Sequence, residues 1–294
     1  MQFTVVTDTS GNLQQKQIRD YGLAVIPFYY SCEGQEKVCL NSETFDGETF
    51  YRELKNTTVK TSQINPQTYA DFFEQYLAKG SDVLYVAMSG GISGSCQSAM
   101  IGAEMATEKY PDRKVEVVDT RGASLGEGLI AIRAAKLRDK GLDVTTAAEK
   151  LRAASERMLN VFTVDDLMFL KRGGRLCNLA AVVGTVLHIK PILKGDEDGK
   201  IVAFGKVRGR RHSIEQLARQ YEKYVSSPET QTIGIAHAAC RADAEYLIKL
   251  IREKFPPKDI LLVDYEPVTG SHVGPGALAL FFEAAPGVRC INAL

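Results

Sequence analysis

The sequence predicts an α/β protein with an N-terminal, mostly parallel sheet that carries helices on both faces, followed by a C-terminal α+β domain with a mixed or antiparallel sheet. In the first half, short apolar runs alternate with helix-length segments, which is typical of parallel strand–helix units. In the second half, hairpin patterns interrupt this alternation. A length of 294 residues allows two domains, which we place at residues 1–158 and 159–294.

One buried strand leads directly into a Ser/Gly loop and then into a helix. Val83–Met88 is apolar and uncharged, which is typical of a strand buried on both faces. Ser89–Ser95 contains only Ser and Gly apart from Ile92, and a helical pattern begins near Gln97. This arrangement places hydroxyls and backbone N–H groups around a helix N-terminus, which suits an anion.

The other strands of the first half are predicted at residues 3–7, 23–30 and 114–120. Pro27 favours an edge position or a bulge for the second of these strands. A hairpin is predicted at residues 31–41. Helices are predicted from about residue 13 and at residues 45–54, 67–79, 97–110, 122–140 and 144–159.

Two further polar segments of the first half have both a structural and a functional interpretation. Asp8-Thr9-Ser10 follows the first strand, at the edge where α/β sheets bind ligands, but it can equally form a turn with a helix cap. The loop containing Thr61-Ser62-Gln63 precedes a helix opened by Pro66. Its hydroxyls either bind a ligand, or the segment caps that helix through Asn65 or Ser62.

The second half is predicted to mix hairpins with helices. Its strands are predicted at residues 160–164, 192–194, 200–204, 232–237, 260–266 and 278–282, with a hairpin turn at 196–199. Its helical segments are predicted at residues 166–171, 178–187, 212–225 and 241–255. A Gly-Gly break lies at residues 172–175, and a glycine-rich loop is predicted at residues 270–277.

Composition excludes several functional classes. Lys plus Arg equals Asp plus Glu at 36 each, so no net charge favours nucleic acid as a partner. Charged or glycine residues interrupt every apolar run before it reaches membrane-spanning length, and the N-terminus lacks the pattern of a signal peptide. The six scattered cysteines form no CxxC pair, which predicts free thiols, no metal site and a cytoplasmic protein.

Catalytic and cofactor motifs are weak. No GxGxxG or P-loop motif is present, so we expect no nucleotide and no other cofactor. Gly91-Ile92-Ser93-Gly94-Ser95 comes close to the Gly-x-Ser-x-Gly turn of serine hydrolases. His237 and His272 are the candidate general bases, and the order Ser…Asp…His is met by Ser93, Asp264 and His272, so Ser93 could serve an acyl-ester hydrolase. This is the alternative to a binding function.

Two basic clusters flank glycine positions. Lys171, Arg172 and Arg175 surround the Gly-Gly break, and a second cluster without acids runs from Lys206 to Arg211. Such clusters are usually solvated faces, but they can also receive a phosphate or an acidic partner.

The sequence resembles the DegV family of bacterial fatty-acid-binding proteins across nearly its whole length. The matching motifs of the first half are TDTS at 7–10, TSQINP at 61–66, SGGISGSCQSA at 89–99 and VVDT at 117–120. Those of the second half are DDLMFLKRGGRL at 165–176, HIKPIL at 188–193, KVR at 206–208 and GSHVGPGA at 270–277. The order and spacing of these motifs carry the resemblance.

The resemblance implies a long-chain fatty acid, such as palmitate, stearate or oleate, held between two domains without catalysis by the protein itself. Its carboxylate would be held by Thr61 and Ser93, with Ser62, the Gly94 backbone and His272 as further contacts. Some relatives present the lipid to a separate fatty acid kinase subunit, which forms an acyl phosphate. Arg175 or Arg208 would then face the kinase or the acyl phosphate.

This chain departs from the family pattern at two places. Ile64 replaces a usual proline, and Gly90-Gly91-Ile92 replaces a segment in which another Ser and a Leu are common. The hydroxyl positions are retained, so the departures concern the shape of the pocket.

Overall fold

A computed structural model describes residues 3–40, 44–176 and 188–291. The strands in these ranges are β1 (Phe3–Asp8), β2 (Ala24–Ile26), β3 (Tyr29–Cys32), β4 (Gln35–Val38), β5 (Val59–Ser62), β6 (Asp82–Ala87), β7 (Val115–Asp119), β8 (Met158–Thr163), β9 (Ile189–Gly195), β10 (Ile201–Arg208), β11 (Thr232–His237), β12 (Asp259–Asp264) and β13 (Leu278–Glu283). The α-helices are α1 (Gln15–Asp20), α2 (Gly47–Leu54), α3 (Pro66–Leu77), α4 (Ser95–Lys109), α5 (Leu125–Asp139), α6 (Val144–Ser155), α7 (Met168–Arg172), α8 (Arg210–Tyr224), α9 (Arg241–Lys254) and α10 (Pro267–Val273).

The strands form three sheets. A parallel four-stranded sheet has the order β2-β1-β6-β7, and a six-stranded sheet has the order β10-β9-β8-β13-β11-β12. In the six-stranded sheet only β11 and β12 pair in parallel, so this sheet is mixed. A small antiparallel sheet has the order β4-β3-β5. The predicted fold class is therefore confirmed.

Helix α5 lies between the two larger sheets and packs against both of them. It contacts β1 and β6 on one side and β11 and β13 on the other. A helix buried on all sides is expected to be mostly apolar all round. Every residue from Leu125 to Ile132 is buried, and Glu127, which has hydrogen-bond partners, is the one charged residue among them. Glycines permit the close packing: a Cβ at Gly128 would lie 2.3 Å from the Gly11 carbonyl oxygen, and one at Gly234 would lie 2.6 Å from Leu125 Cβ.

The core around α5 therefore joins the two halves of the chain. Val5, Leu129 and Ala236 belong to one hydrophobic cluster, although they come from β1, α5 and β11. Separate clusters fill the outer faces, beneath α3 and α4 on the parallel sheet and beneath α8 and α9 on the mixed sheet. The domain boundary after residue 158 stays a prediction; β8 begins at Met158.

Three predicted segments are wrong in detail. The single strand expected at residues 23–30 is two strands in different sheets, because Pro27 lies between β2 and β3 and cannot donate a backbone hydrogen bond. Residues 57–66, for which no strand is predicted, contain β5, in which Thr61 pairs with Tyr30 of β3. The helix expected to reach residue 159 ends at Ser155, before β8.

The prediction of a loop at residues 270–277 is also wrong, because residues 270–273 belong to helix α10. The helix starts with Pro267, and the Glu266 carboxylate caps it by accepting a hydrogen bond of 2.8 Å from the Thr269 backbone N–H. The cap predicted at Asn65 is confirmed, since its Oδ1 accepts from Thr68 N at 2.9 Å. The helix predicted at residues 178–187 lies outside the described residues. Within the described ranges, no helix combines the length and apolarity that crossing a bilayer requires.

Candidate functional site

A cavity of about 320 Å³ lies between elements of the two halves. The first half contributes the end of β5 and the loops that follow β6 and β7. These two loops lie at the carboxyl edge of the parallel sheet, where such sheets bind ligands. The second half contributes β8, α7, α10 and the turn between β9 and β10. Much of the wall is apolar, with Phe28, Met88, Phe162, Leu170 and Phe281 among its side chains. Such a volume and lining are typical of a small-molecule site.

Thr61 and His272 meet on the wall of this cavity. Thr61 Oγ1 and His272 Nε2 form a hydrogen bond of 2.8 Å, which joins β5 to α10. Burial, and to a smaller extent the positive charge of Arg175, lower the pKa of the His272 imidazole to about 4. The imidazole is therefore neutral at neutral pH. With its proton on Nε2 it donates to Thr61 Oγ1 and leaves the threonine hydroxyl proton free for another acceptor.

Gly173 leaves room for the His272 ring. A Cβ at Gly173 would lie 2.4 Å from His272 Nδ1, a distance that real side chains do not tolerate. The backbone of Gly173 is in the ordinary helical region, so the glycine is needed for space rather than for its conformation. The Gly-Gly break predicted at this point thus has a packing function.

Ser93 and Gly94 lie directly before α4. The Ser93 hydroxyl donates to Ser95 Oγ at 3.1 Å, and the Ser95 backbone N–H donates to Ser93 Oγ at 3.2 Å. A Cβ at Gly94 would lie 2.0 Å from Gln63 Oε1, so the glycine allows Gln63 to approach the helix start. Gln63 Nε2 then donates to Ser98 Oγ at 3.3 Å. The Thr61-Ser62-Gln63 segment and the Ser/Gly loop are therefore brought together, and both line the cavity.

Ser62 and the two predicted arginines lie in different surroundings. Ser62 is exposed at the end of β5 but still lines the cavity. Arg175 also lines the cavity, and its guanidinium donates to the Ile92 carbonyl at 3.2 Å and to the Gly173 carbonyl. Arg208 is exposed at the end of β10 and does not line the cavity. It lies in a basic groove, which consists of His188, Val207, Arg208, Gly209, His212 and Arg219.

The turn between β9 and β10 closes one side of the cavity. Ser89 Oγ donates to the Gly199 carbonyl at 2.9 Å, and a Cβ at Gly91 would lie 2.5 Å from the Asp198 carbonyl oxygen. The buried guanidinium of Arg289 adds two contacts here, to Arg121 O at 2.9 Å and to Asp196 O at 3.2 Å. Gly91 is therefore another position at which the two halves approach each other closely.

The residues of the hydrolase alternative have other partners. His237 Nδ1 lies 3.0 Å from Asp264 Oδ1, whereas His272 bonds to Thr61 and Ser93 bonds to Ser95. The contacts in the described part of the chain therefore do not assemble Ser93, Asp264 and a histidine into a catalytic triad. Among the same residues, no cluster of three or more His, Cys, Asp or Glu is placed to hold a metal ion.

A buried network of carboxyl groups lies at the end of β1. Asp8 Oδ1 accepts from the Ser10 backbone N–H at 2.8 Å, and Tyr85 OH donates to Asp8 Oδ2 at 2.6 Å. Glu127 of α5 accepts from Thr7 Oγ1 at 2.9 Å and contacts Ser10 Oγ at 2.8 Å. Burial raises the pKa of both carboxyls, and the charge of Asp8 raises that of Glu127 further. The network ties β1 to α5; neither carboxyl group lines the cavity.

The sequence reasoning did not identify Asn160 and Arg121 as cavity residues. Both line the cavity, Asn160 from β8 and Arg121 from the loop before α5. The sequence contains one signal for the first of them, because an asparagine is unusual between Leu159 and Val161 in a buried strand. No comparable signal marks Arg121.

Comparisons with known proteins agree with this architecture. The model of the DegV family, whose description reads "uncharacterised protein, DegV family", matches residues 2–285. A DegV domain-containing protein of Clostridium perfringens is 36% identical over 281 residues, covering 95% of this chain and 97% of the relative.

Two solved structures have the same fold. A fatty-acid-binding DegV family protein from Thermus thermophilus superimposes with a TM-score of 0.87 at 27% identity, covering 97% of this chain and 100% of that one. DegV, a fatty acid binding protein from Bacillus subtilis, superimposes with a TM-score of 0.82 at 27% identity and the same coverage of both chains. The chain described here belongs to the DegV family.

Proposed function

We propose that this protein binds a long-chain fatty acid in the cavity and that Thr61 and Ser93 hold the carboxylate through their hydroxyls. Ser62, the backbone at Gly94 and the His272 imidazole complete the proposed headgroup site. The observation that carries the proposal is a largely apolar cavity with the Thr61–His272 pair on its wall. The fatty acids bound by the Thermus thermophilus and Bacillus subtilis relatives support it.

The apolar wall supplies the affinity. Burying an acyl chain at roughly 0.8 kcal/mol per CH₂ gives on the order of 10 kcal/mol before the costs of binding are subtracted. Immobilising the flexible chain removes several kcal/mol of this gain. The remainder is enough for stable binding of a long chain and too little for a short one, so we expect affinity to rise with chain length.

The polar side of the cavity serves the carboxylate. A carboxylate that leaves water without hydrogen-bond donors protonates or resists burial. The neutral His272 orients the Thr61 hydroxyl, and Arg175 adds a positive charge nearby. Hydroxyl and amide donors do not form a full ion pair with the carboxylate, so its oxygen remains available as a nucleophile.

We further propose that the protein has no catalysis of its own and presents the bound carboxylate to a cytoplasmic fatty acid kinase subunit. There the carboxylate oxygen would attack the terminal phosphate of a nucleoside triphosphate held by the kinase, and the acyl phosphate would form as the nucleoside diphosphate leaves. Arg175 would lie near the transferred phosphate and Arg208 against the kinase. The exposure of Arg208 supports an acidic partner surface, as does the lack of an acid among the described residues that line the basic groove, although its Arg219 lies 3.7 Å from Glu215.

Extraction and binding experiments test the lipid proposal. Protein purified from a bacterial host is denatured, extracted and analysed by mass spectrometry, and delipidated protein is titrated with palmitate. We expect co-purified fatty acid in the extract, and we expect weaker palmitate binding by Thr61→Val and Ser93→Ala. Thr58→Val is the matched control, because Thr58 is exposed and precedes β5. Protein that neither carries fatty acid nor takes up palmitate would contradict the proposal.

A hydrolase assay separates the alternative function. A serine hydrolase would turn over a nitrophenyl ester and lose this activity in Ser93→Ala. We expect no turnover by the wild type and recovery of the bound lipid unchanged.

A further inference from the structure

Asn160 presents a buried carboxamide to the cavity. It lies in β8, whose six residues are all buried, and only 8% of its surface is exposed. Its Oδ1 atom is fully buried and has no hydrogen-bond partner within residues 3–40, 44–176 and 188–291. The carboxamide oxygen of a residue on the wall of a largely apolar cavity is therefore left without a partner among the described residues.

Three glycines from separate elements surround this carboxamide. A Cβ would lie 2.6 Å from Asn160 Nδ2 if it were added at Gly122, and 2.2 Å from Asn160 Oδ1 if it were added at Gly126. At Gly195 the corresponding distance to Nδ2 would be 3.8 Å. Gly122 and Gly126 thus leave the space that the amide occupies, and Gly195 of β9 lies within ordinary contact distance of it. The cavity wall around Asn160 therefore accommodates the carboxamide of this side chain.

A buried amide without a partner is costly. Leaving such a group unsatisfied destabilises the folded protein, and most buried polar groups in proteins have a partner. A leucine at this position would have a similar shape and would suit an unsubstituted acyl chain better. A ligand that supplies the missing partner removes this cost.

We infer, on the basis of the proposed function, that the cavity selects a long-chain fatty acid that carries a hydroxyl or keto oxygen on its chain, and that Asn160 binds this oxygen. Rotation about the last torsion of the side chain exchanges Oδ1 and Nδ2, so the amide can accept from a hydroxyl or donate to either oxygen. The neighbours of Asn160 are Gly122, Gly126 and Gly195 rather than Thr61 and His272. The oxygen therefore belongs to the acyl chain and not to the carboxylate.

Calorimetric titrations of delipidated protein test this inference. The probes are stearate and a series of hydroxystearates with the hydroxyl at successive mid-chain carbons. We expect the wild type to bind at least one hydroxystearate about 5- to 10-fold more tightly than stearate, the size of effect that one buried hydrogen bond gives. Asn160→Leu should lose this preference and bind stearate at least as well as the wild type. Ile201→Val is the control, because it changes the cavity wall without removing a polar group.

The possible outcomes are distinct. A wild type that binds stearate more tightly than every hydroxystearate would overturn the inference and leave the proposed function intact. An Asn160→Leu variant that still prefers the same hydroxystearate would likewise overturn the inference and leave the proposed function intact, because the preference would then not come from Asn160. A wild type that binds neither class of lipid would overturn both. Should Asn160→Leu fail to fold by circular dichroism, Asn160→Ser removes the carboxamide with a smaller side chain, and the positional series on the wild type stands by itself.

Discussion

Thr61 and His272 are 211 positions apart in the chain, and their side chains share a hydrogen bond of 2.8 Å. The contact joins β5 of the small antiparallel sheet to α10 of the second half, at the wall of the cavity. Neither residue type is unusual alone. We propose that the two act as a pair, in which a neutral imidazole with its proton on Nε2 orients the threonine hydroxyl toward the carboxylate.

His272 should make the free energy of unfolding depend on pH. Its folded pKa of about 4 lies below the unfolded value of 6.5, so the unfolded state binds more protons between these values. Stability is fully present above pH 6.5 and is lost as the pH falls toward 4, by about 3 kcal/mol at most. His272→Gln should lose less stability over this range. Urea unfolding of both delipidated proteins measures the difference, and parallel pH profiles would contradict the assignment.

Glu127 should show the opposite dependence. Burial raises its folded pKa well above 4.5, so the folded state keeps a proton that the unfolded state releases as the pH rises. Stability contributed by the protonated group is lost as the pH rises from about 4.5 through the folded pKa. Glu127→Gln, which stays neutral, should therefore gain stability relative to the wild type as the pH rises above about 4.5. Glu149→Gln on the exposed face of α6 should track the wild type, and a Glu127→Gln profile that also tracks it would refute the assignment.

Gly173→Ala should weaken fatty acid binding by displacing the His272 ring. The added Cβ would lie 2.4 Å from Nδ1, and such overpacking costs about 1–3 kcal/mol. Titration with palmitate measures the loss of affinity, and chemical unfolding measures the loss of stability. Gly205→Ala is the control, because the nearest atom to its Cβ would be 3.8 Å away. Equal affinities for the two variants would show that the ring position does not matter.

Arg208→Ala should separate lipid binding from kinase coupling. Arg208 is exposed in the basic groove and does not line the cavity, so palmitate affinity should stay within about twofold of the wild type. Acyl phosphate formation with a bacterial fatty acid kinase subunit should fall about tenfold, which corresponds to about 1.4 kcal/mol. Arg252→Ala, an exposed arginine on α9, should change neither quantity. An Arg208→Ala variant that loses both activities together would contradict the separation.

The elements with strong local patterns were predictable from the sequence. The uncharged run before the Ser/Gly loop is β6, and α4 begins at Ser95, within two residues of the prediction. The hairpin turn near Gly199 is also confirmed. In each case the pattern reflects local chemistry: burial on both faces, glycine in a turn, or hydroxyls at a helix start.

The elements that were missed depend on tertiary contacts. β5 has the polar sequence Val59-Lys60-Thr61-Ser62 and becomes a strand only because β3 pairs with it. α10 contains Gly270, and its start depends on the buried Glu266 cap. The position of Asn160 in the cavity depends on how β8 faces α5, which no local pattern determines.

A crystal structure of the delipidated protein soaked with stearate tests the central claim most directly. We expect the carboxylate oxygens within about 2.5–3.2 Å of Thr61 Oγ1 and Ser93 Oγ, with the acyl chain along the apolar wall. A carboxylate placed away from both hydroxyls, or a lipid bound outside the cavity, would contradict the account.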